Sequence, residues 1–126
     1  MVNKKRIFIA FAIEDARYRD LLVGQAKLKS SPFEFADFSA KEPWDSQWKT
    51  NCRTKVKGCD GVIALISKNT MKAEGELWEI QCAIDEKKPT MLMWVNDDRP
   101  NVPQLIKGKF INVWSWDNLE KFIAKL

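Results

Sequence analysis

Histidine is absent from all 126 residues. That absence removes Ser-His-Asp and Cys-His nucleophile pairs, histidine-ligated metals and any histidine general base. Chemistry on this chain must run on carboxylates, lysines, hydroxyls or thiols, and no metal site is expected. Cysteine is scarce as well. Cys52, Cys59 and Cys82 form no CxxC pair, and three thiols cannot all pair with one another. They read as reduced, buried thiols of a cytoplasmic protein. No apolar run approaches the roughly 20 residues that span a bilayer, so no membrane role is expected. The basic start and Ile7–Ile13 imitate a signal peptide, but Glu14, Asp15, Arg17 and Arg19 follow at once without a small-residue cleavage site. That segment reads as a buried first strand with a basic lead-in.

What is present fits a soluble globular domain, expected to span residues 1–126 as one unit. Hydrophobic residues make up 45% and charged residues 30%, a balance that supports a packed core. The net charge of +4 favours anionic ligands and falls short of a nucleic-acid signature. The aromatics lie on helical stripes and no RNP or KH pattern occurs, so nucleic acid is not an expected partner.

Five short apolar runs alternate with helical or irregular segments: Arg6–Phe11, Phe33–Asp37, Gly61–Ile66, Thr90–Val95 and Phe110–Trp114. Val62–Ile66 is apolar at every position, as a strand covered on both faces requires. Between the strands, Tyr18, Leu21, Leu22, Gln25 and Leu28 share one helical face, and Trp44, Trp48, Cys52 and Val56 step by four. Leu77, Ile80 and Ile84 form a third stripe, and Trp116–Leu126 reads as a closing amphipathic helix. Pro100 and Pro103 argue against a long helix in the fourth connection. Alternating strands and helices imply right-handed crossovers and an α/β three-layer sandwich around a parallel five-stranded sheet. Ligands in such a fold bind outside the C-terminal strand ends, beside the first strand. The loops starting near Ala12, Phe38, Ser67 and Asn96 are therefore the places to look.

Those loops exclude several chemistries. Neither GxGxxG nor GxxxxGK(S/T) occurs, so the dinucleotide fingerprint and the P-loop are both absent. Phe11–Asp15 is glycine-free and acidic, which repels the phosphate of a flavin. A phosphoacceptor receiver domain needs Asp at the third strand end and Lys after the fifth. This chain has Ile66-Ser67 and Trp114-Ser115 there. Glu14-Asp15 then reads as the anionic cap and first turn of the next helix.

Two regions stand out. Phe35–Trp48 leaves the second strand through an acidic, aromatic loop, with Asp45 as a candidate helix N-cap and Trp44 as a staple. Its tryptophans either pack helix on sheet or, with Asp37 and Ser39, wall a cleft and stack on a planar base. Ser67–Ile80 leaves the third strand into a helix. There Leu77, Ile80 and Ile84 point to the core, and Trp78 and Cys82 point away with Glu79 and Gly75 beside them. A Trp-Cys patch outside the core stripe implies a cleft wall or a subunit contact.

On these residues the chain resembles the Toll/interleukin-1 receptor (TIR) superfamily, specifically the stand-alone TIR-like domains of prokaryotes, the Thoeris type. Lys5–Phe11 with Tyr18–Leu22 is similar to that subfamily's first strand and helix. Phe33–Ser39 with Trp48-Lys49 resembles its second strand and following loop. Ser67–Thr70, Trp78–Ile80 with Ala83, and Lys88-Pro89 resemble its third-strand exit, third helix and fourth-strand entry. The resemblance covers roughly residues 4 to 95 and is carried by five elements in order. It implies a flavodoxin-like sheet of strand order 2-1-3-4-5. It also implies NAD⁺ cleavage releasing nicotinamide, with cyclisation of ADP-ribose into a messenger for antiphage defence in some members. Glu79 matches the family's catalytic Glu. Phe11 matches the aromatic after the first strand, and Asp37 to Lys41 match the loop after the second. The implied substrate contacts are Phe11, Ala12, Asp37, Ser39, Lys41, Trp48 and Trp78. Ala10 and Ala12 depart from the family, which often has Ser and a polar residue there, and so does Gly75 or a neighbour, where an extra Trp often precedes the Trp-Glu pair.

The chemistry suits the composition. Nicotinamide is cationic in NAD⁺ and leaves as a neutral base, so no general acid is required. One carboxylate beside the ribose can stabilise the oxocarbenium-like transition state. NAD⁺ is then a substrate, and no cofactor is expected. A non-catalytic TIR-like interaction domain is the alternative, assembling through the second loop and third helix. A nucleoside deoxyribosyltransferase relative is a third, without a supporting loop motif. A domain of this size leaves no room for a sensor or effector, so signalling implies self-association or assembly with a partner carrying one.

Overall fold

A computed structural model describes residues 5–29, 33–36 and 47–126. Five strands, β1 (Lys5–Ala10), β2 (Phe33–Ala36), β3 (Gly61–Ile66), β4 (Thr90–Trp94) and β5 (Ile111–Asn112), form one all-parallel sheet. Their order is β2-β1-β3-β4-β5, the expected one. Among the described residues four helices connect or close them: α1 (Ala16–Leu28), α2 (Trp48–Lys57), α3 (Glu74–Asp85) and α4 (Trp116–Ala124). The fourth connection carries only a 3₁₀ turn at Gln104–Ile106, as its prolines require.

Alternation along the strands divides the core in two. Ile7, Ile9, Ile63, Leu65, Met91 and Met93 pack against Leu22 and Ala26 of α1 and Leu119 and Ile123 of α4. Phe8, Ala10, Val62, Ala64, Ile66 and Leu92 face Cys52 and Val56 of α2 and Ile80, Cys82 and Ala83 of α3. Every residue of β3 is buried, which is why its bounds are legible from an unbroken apolar run. All three cysteines are buried free thiols, as expected.

Two helical faces differ from the expected stripes. On α1 the buried positions are Leu22 and Ala26, whereas Leu21 and Leu28 are exposed. On α3 the buried positions are Glu76, Glu79, Ile80, Cys82 and Ala83, and Ile84 is exposed. Helix α3 therefore turns two carboxylates inward with Ile80 and Ala83. A stripe drawn only through its large apolar residues misplaces the helix about its axis. Cys82 lies in the core and not on an outer patch with Trp78. On α2, Trp48, Cys52 and Val56 are buried as expected, while Trp44 and Asp45 lie outside the described residues.

No helix among the described residues is long and apolar enough to cross a membrane.

Candidate active site

In the order β2-β1-β3-β4-β5 the chain direction of assembly reverses between β1 and β3, so their C-terminal ends frame the switch-point crevice. The two exits are bonded to each other through polar side chains. After β1 the chain passes Phe11 and Ala12 into a 3₁₀ turn at Ile13–Asp15, closed by the Asp15 N–H donating to Ala12 O at 2.8 Å. After β3 it passes Ser67 into a second 3₁₀ turn at Thr70–Lys72 and then α3.

Asp15 sits at the cap position of α1 yet makes no capping bond. Its carboxylate reaches across the crevice instead. Oδ2 accepts the Ser67 hydroxyl at 2.5 Å and Oδ1 accepts the Asn69 side-chain amide at 2.9 Å. Ser67 Oγ in turn accepts the Asn69 backbone N–H at 2.9 Å, and the Ser67 N–H donates to Thr70 Oγ1 at 2.9 Å. Asp15, Ser67 and Thr70 are all buried. Glu14-Asp15 is thus no simple anionic cap pair: Asp15 is the hub of a network that staples the two central exits together.

Glu76 lies against this network. It is 1% exposed, and neither carboxylate oxygen has a hydrogen-bond partner among the described residues. Burial pushes its carboxyl well above the usual carboxylate range. The Thr70 hydroxyl opposes the rise, and the charges of Asp15 and Glu14 add to it. Glu76 is the principal site residue that sequence reasoning missed. Its spacing to Ile80 (i+4) and Ala83 (i+7) could have placed it on the inner stripe.

Glu79, one turn further along α3, is also buried, at 4% exposure. Its charge reaches the thiols of α2 and α3. Burial raises Cys52 first and Glu79 raises it further; Cys82 is likewise raised mainly by burial, with Glu79 adding a little. The structure thus brings Glu79 to the α2 face carrying Cys52, one turn on from Trp48.

The other expected contacts are distributed differently. Phe11 packs into the α1/α4 core layer with the Arg19 guanidinium 5.7 Å above its ring. Ala12 is buried in the β1 exit. Trp78 is half-buried in the α2–α3 seam, where its indole N–H donates to Lys49 O at 3.0 Å. Arg53 and Lys49 each stand 5.1 Å from the Trp78 ring centroid, so cations of α2 cover the ring. Trp48 and Trp78 line an open groove of about 520 Å³ with Lys49, Glu74, Leu77 and Gln81. Asp37, Ser39 and Lys41 lie outside the described residues. No group of three or more Cys, Asp or Glu side chains among the described residues could hold a metal ion.

Residues 8–100 match the family described as Thoeris protein ThsB, TIR-like domain. No curated protein sequence matches the chain. Among solved structures, the TIR domain of the Toll-related receptor TRR-2 from the lower metazoan Hydra magnipapillata superposes with a TM-score of 0.69. That pair is 16% identical, over 94% of this chain and 97% of the other. A prokaryotic SEFIR domain superposes at 0.57 with 14% identity, covering 97% of this chain and 89% of that one. The Clostridium botulinum CMP N-glycosidase BcmB superposes at 0.57 with 19% identity, covering 96% and 97%. At these identities the likeness is one of fold.

Proposed function

The chain belongs to the TIR-like domain family of the Thoeris protein ThsB, and on that premise we propose that it cleaves the nicotinamide–ribose bond of NAD⁺, with Glu79 as the catalytic carboxylate. The observation that carries the reading is the placement of Glu79. It is a buried carboxylate on the inner face of α3, one turn beyond Glu76, and its position in the sequence matches the catalytic Glu that the family resemblance implies. A solvated glutamate on an outer helix face would support no such reading.

The chemistry asks little of the protein beyond that carboxylate. As the C1′–N bond breaks, its electron pair returns to the cationic pyridinium, and nicotinamide leaves neutral without a proton. Positive charge develops on the ribose, and a carboxylate held in a site of low dielectric stabilises it far better than water does. Water or a hydroxyl of the same ADP-ribose then takes C1′, giving a linear or a cyclic product. A related bond is the target of the CMP N-glycosidase, whose fold this chain shares. The loop carrying Asp37, Ser39 and Lys41 is proposed to supply further substrate contacts, and the ADP-ribose product to serve as a signal in antiphage defence. Assembly with an effector or sensor protein, or with further copies of the chain, would connect that signal to a response in the cytoplasm.

A second reading is a non-catalytic interaction domain. Ala10 and Ala12, both buried, make the exit of β1 apolar beside the crevice, which favours it. Incubation with NAD⁺ at high protein concentration, followed by chromatography, separates the two. Released nicotinamide supports the enzyme; unchanged NAD⁺ across a wide concentration range supports the interaction domain.

A further inference from the structure

Glu76 occupies the third position of α3, where a glutamate ordinarily turns back to accept the N–H of the cap residue. Here that N–H, of Ala73, already donates to Thr70 O at 3.1 Å, and no side chain caps the helix. Glu76 turns inward instead, to the Asp15 and Thr70 sides of the two central strand exits, with both oxygens sealed from solvent. The acceptor sites of Asp15 are taken by Ser67 and Asn69, and Thr70 Oγ1 accepts from the Ser67 N–H. A buried carboxyl among such neighbours is tolerated as the neutral acid and is costly as the anion.

We propose that Glu76 is a positioning residue: buried beside the exits of β1 and β3, it seats the first turn of α3 and thereby fixes Glu79 one turn further on. The proposal rests on Glu79 being the catalytic carboxylate and adds how its position is held and regulated. The groups acting on Glu76 are the charges of Asp15 and Glu14 from the turn after β1 and the hydroxyl of Thr70 from the turn after β3. Glu79 follows on its own helix. Ionising Glu76 sets a second negative charge against Asp15 and Glu14, with only the Thr70 hydroxyl at hand to receive it. The first turn of α3 is then pushed off the strand exits, and Glu79 moves with it. A displacement near 1 Å costs on the order of 100-fold in rate.

The test measures kcat and KM for NAD⁺ between pH 6 and 9.5 in the wild type, Glu76→Gln and Glu76→Ala, with near-UV circular dichroism as a check on folding. In the wild type, kcat falls by about 10- to 100-fold through one ionisation while KM holds. Glu76→Gln keeps the shape without the charge and loses the alkaline fall. Glu76→Ala lowers kcat at every pH. A flat wild-type profile, or an alkaline fall that persists in Glu76→Gln, overturns the proposal. Carbon-13 NMR of the glutamate carboxyls decides independently of turnover: the Glu79 signal should respond to ionisation of Glu76. An indifferent Glu79 signal, or a Glu76 that titrates in the ordinary carboxylate range, also overturns it. If the wild type releases no nicotinamide at any pH, the NAD⁺ reading fails, and the NMR result alone judges the positioning role.

Discussion

Ser67 donates its hydroxyl to Asp15 across 2.5 Å, joining two residues 52 positions apart at the ends of the two central strands. With Asn69 on the other carboxylate oxygen, Asp15 links the β1–α1 and β3–α3 connections directly. Replacing it by Ala strands the Ser67 hydroxyl in a buried site and removes two hydrogen bonds to a charged acceptor. Asp15→Ala is expected to cost about 1.5–3 kcal/mol, read by urea unfolding. A loss within 0.5 kcal/mol, the scale of ordinary surface substitutions, would show that the staple carries no stability.

Arg53 ties α2 to α3. Its guanidinium donates to Glu86 at 3.0 Å and to Asp85 at 3.1 Å while covering the Trp78 ring. The Asp85 carboxyl is held below its ordinary range, first by the Gln81 side-chain amide and then by Arg53. A lowered folded pKa contributes stability above the unfolded value near 3.9 and loses it as pH falls through the folded value. Arg53→Met should therefore lower the melting temperature at pH 7, with the difference from wild type shrinking toward pH 2. High salt should narrow it too, because both partners are partly exposed. A difference independent of pH and salt would assign the effect to packing on Trp78 alone.

The three thiols should be inert in the folded protein. Each is buried and each is raised, chiefly by burial, which suppresses the thiolate that reacts. Native protein treated with an aromatic disulfide reagent at pH 8 should label no cysteine until denaturant is added, when all three label. Fast labelling of Cys52 or Cys82 in native protein would mean that the α2–α3 seam opens readily.

Much of this architecture was legible in the residue pattern. The unbroken Val62–Ile66 run marked a doubly covered central strand, Trp48, Cys52 and Val56 marked the inner face of α2, and the element order gave a parallel sheet. The site was legible only in part. Apolar spacing on α3 pointed to Leu77, Ile80 and Ile84, because a reading weighted by hydrophobicity turns glutamates outward. The helix in fact buries Glu76 and Glu79 beside Ile80 and Ala83. On α1, small Ala26 took the inner position that spacing assigned to Leu28, which stands exposed. Asp15 looked like a helix cap, and nothing local to it announced that Ser67 and Asn69 would claim both its oxygens. Such contacts depend on which strands become neighbours. Trp78 reads as a cleft wall or subunit contact, but its ring is covered by Lys49 and Arg53 of α2.

The central claim is that Glu79 cleaves the nicotinamide–ribose bond. The most direct measurement is nicotinamide release from NAD⁺ by wild type and Glu79→Gln at equal, high protein concentration, with melting curves to establish that both are folded. The account predicts release by the wild type and a loss of at least about 100-fold in the variant, the scale on which removing one electrostatic stabiliser acts. Equal release by both folded proteins would contradict it and move the catalytic carboxylate elsewhere.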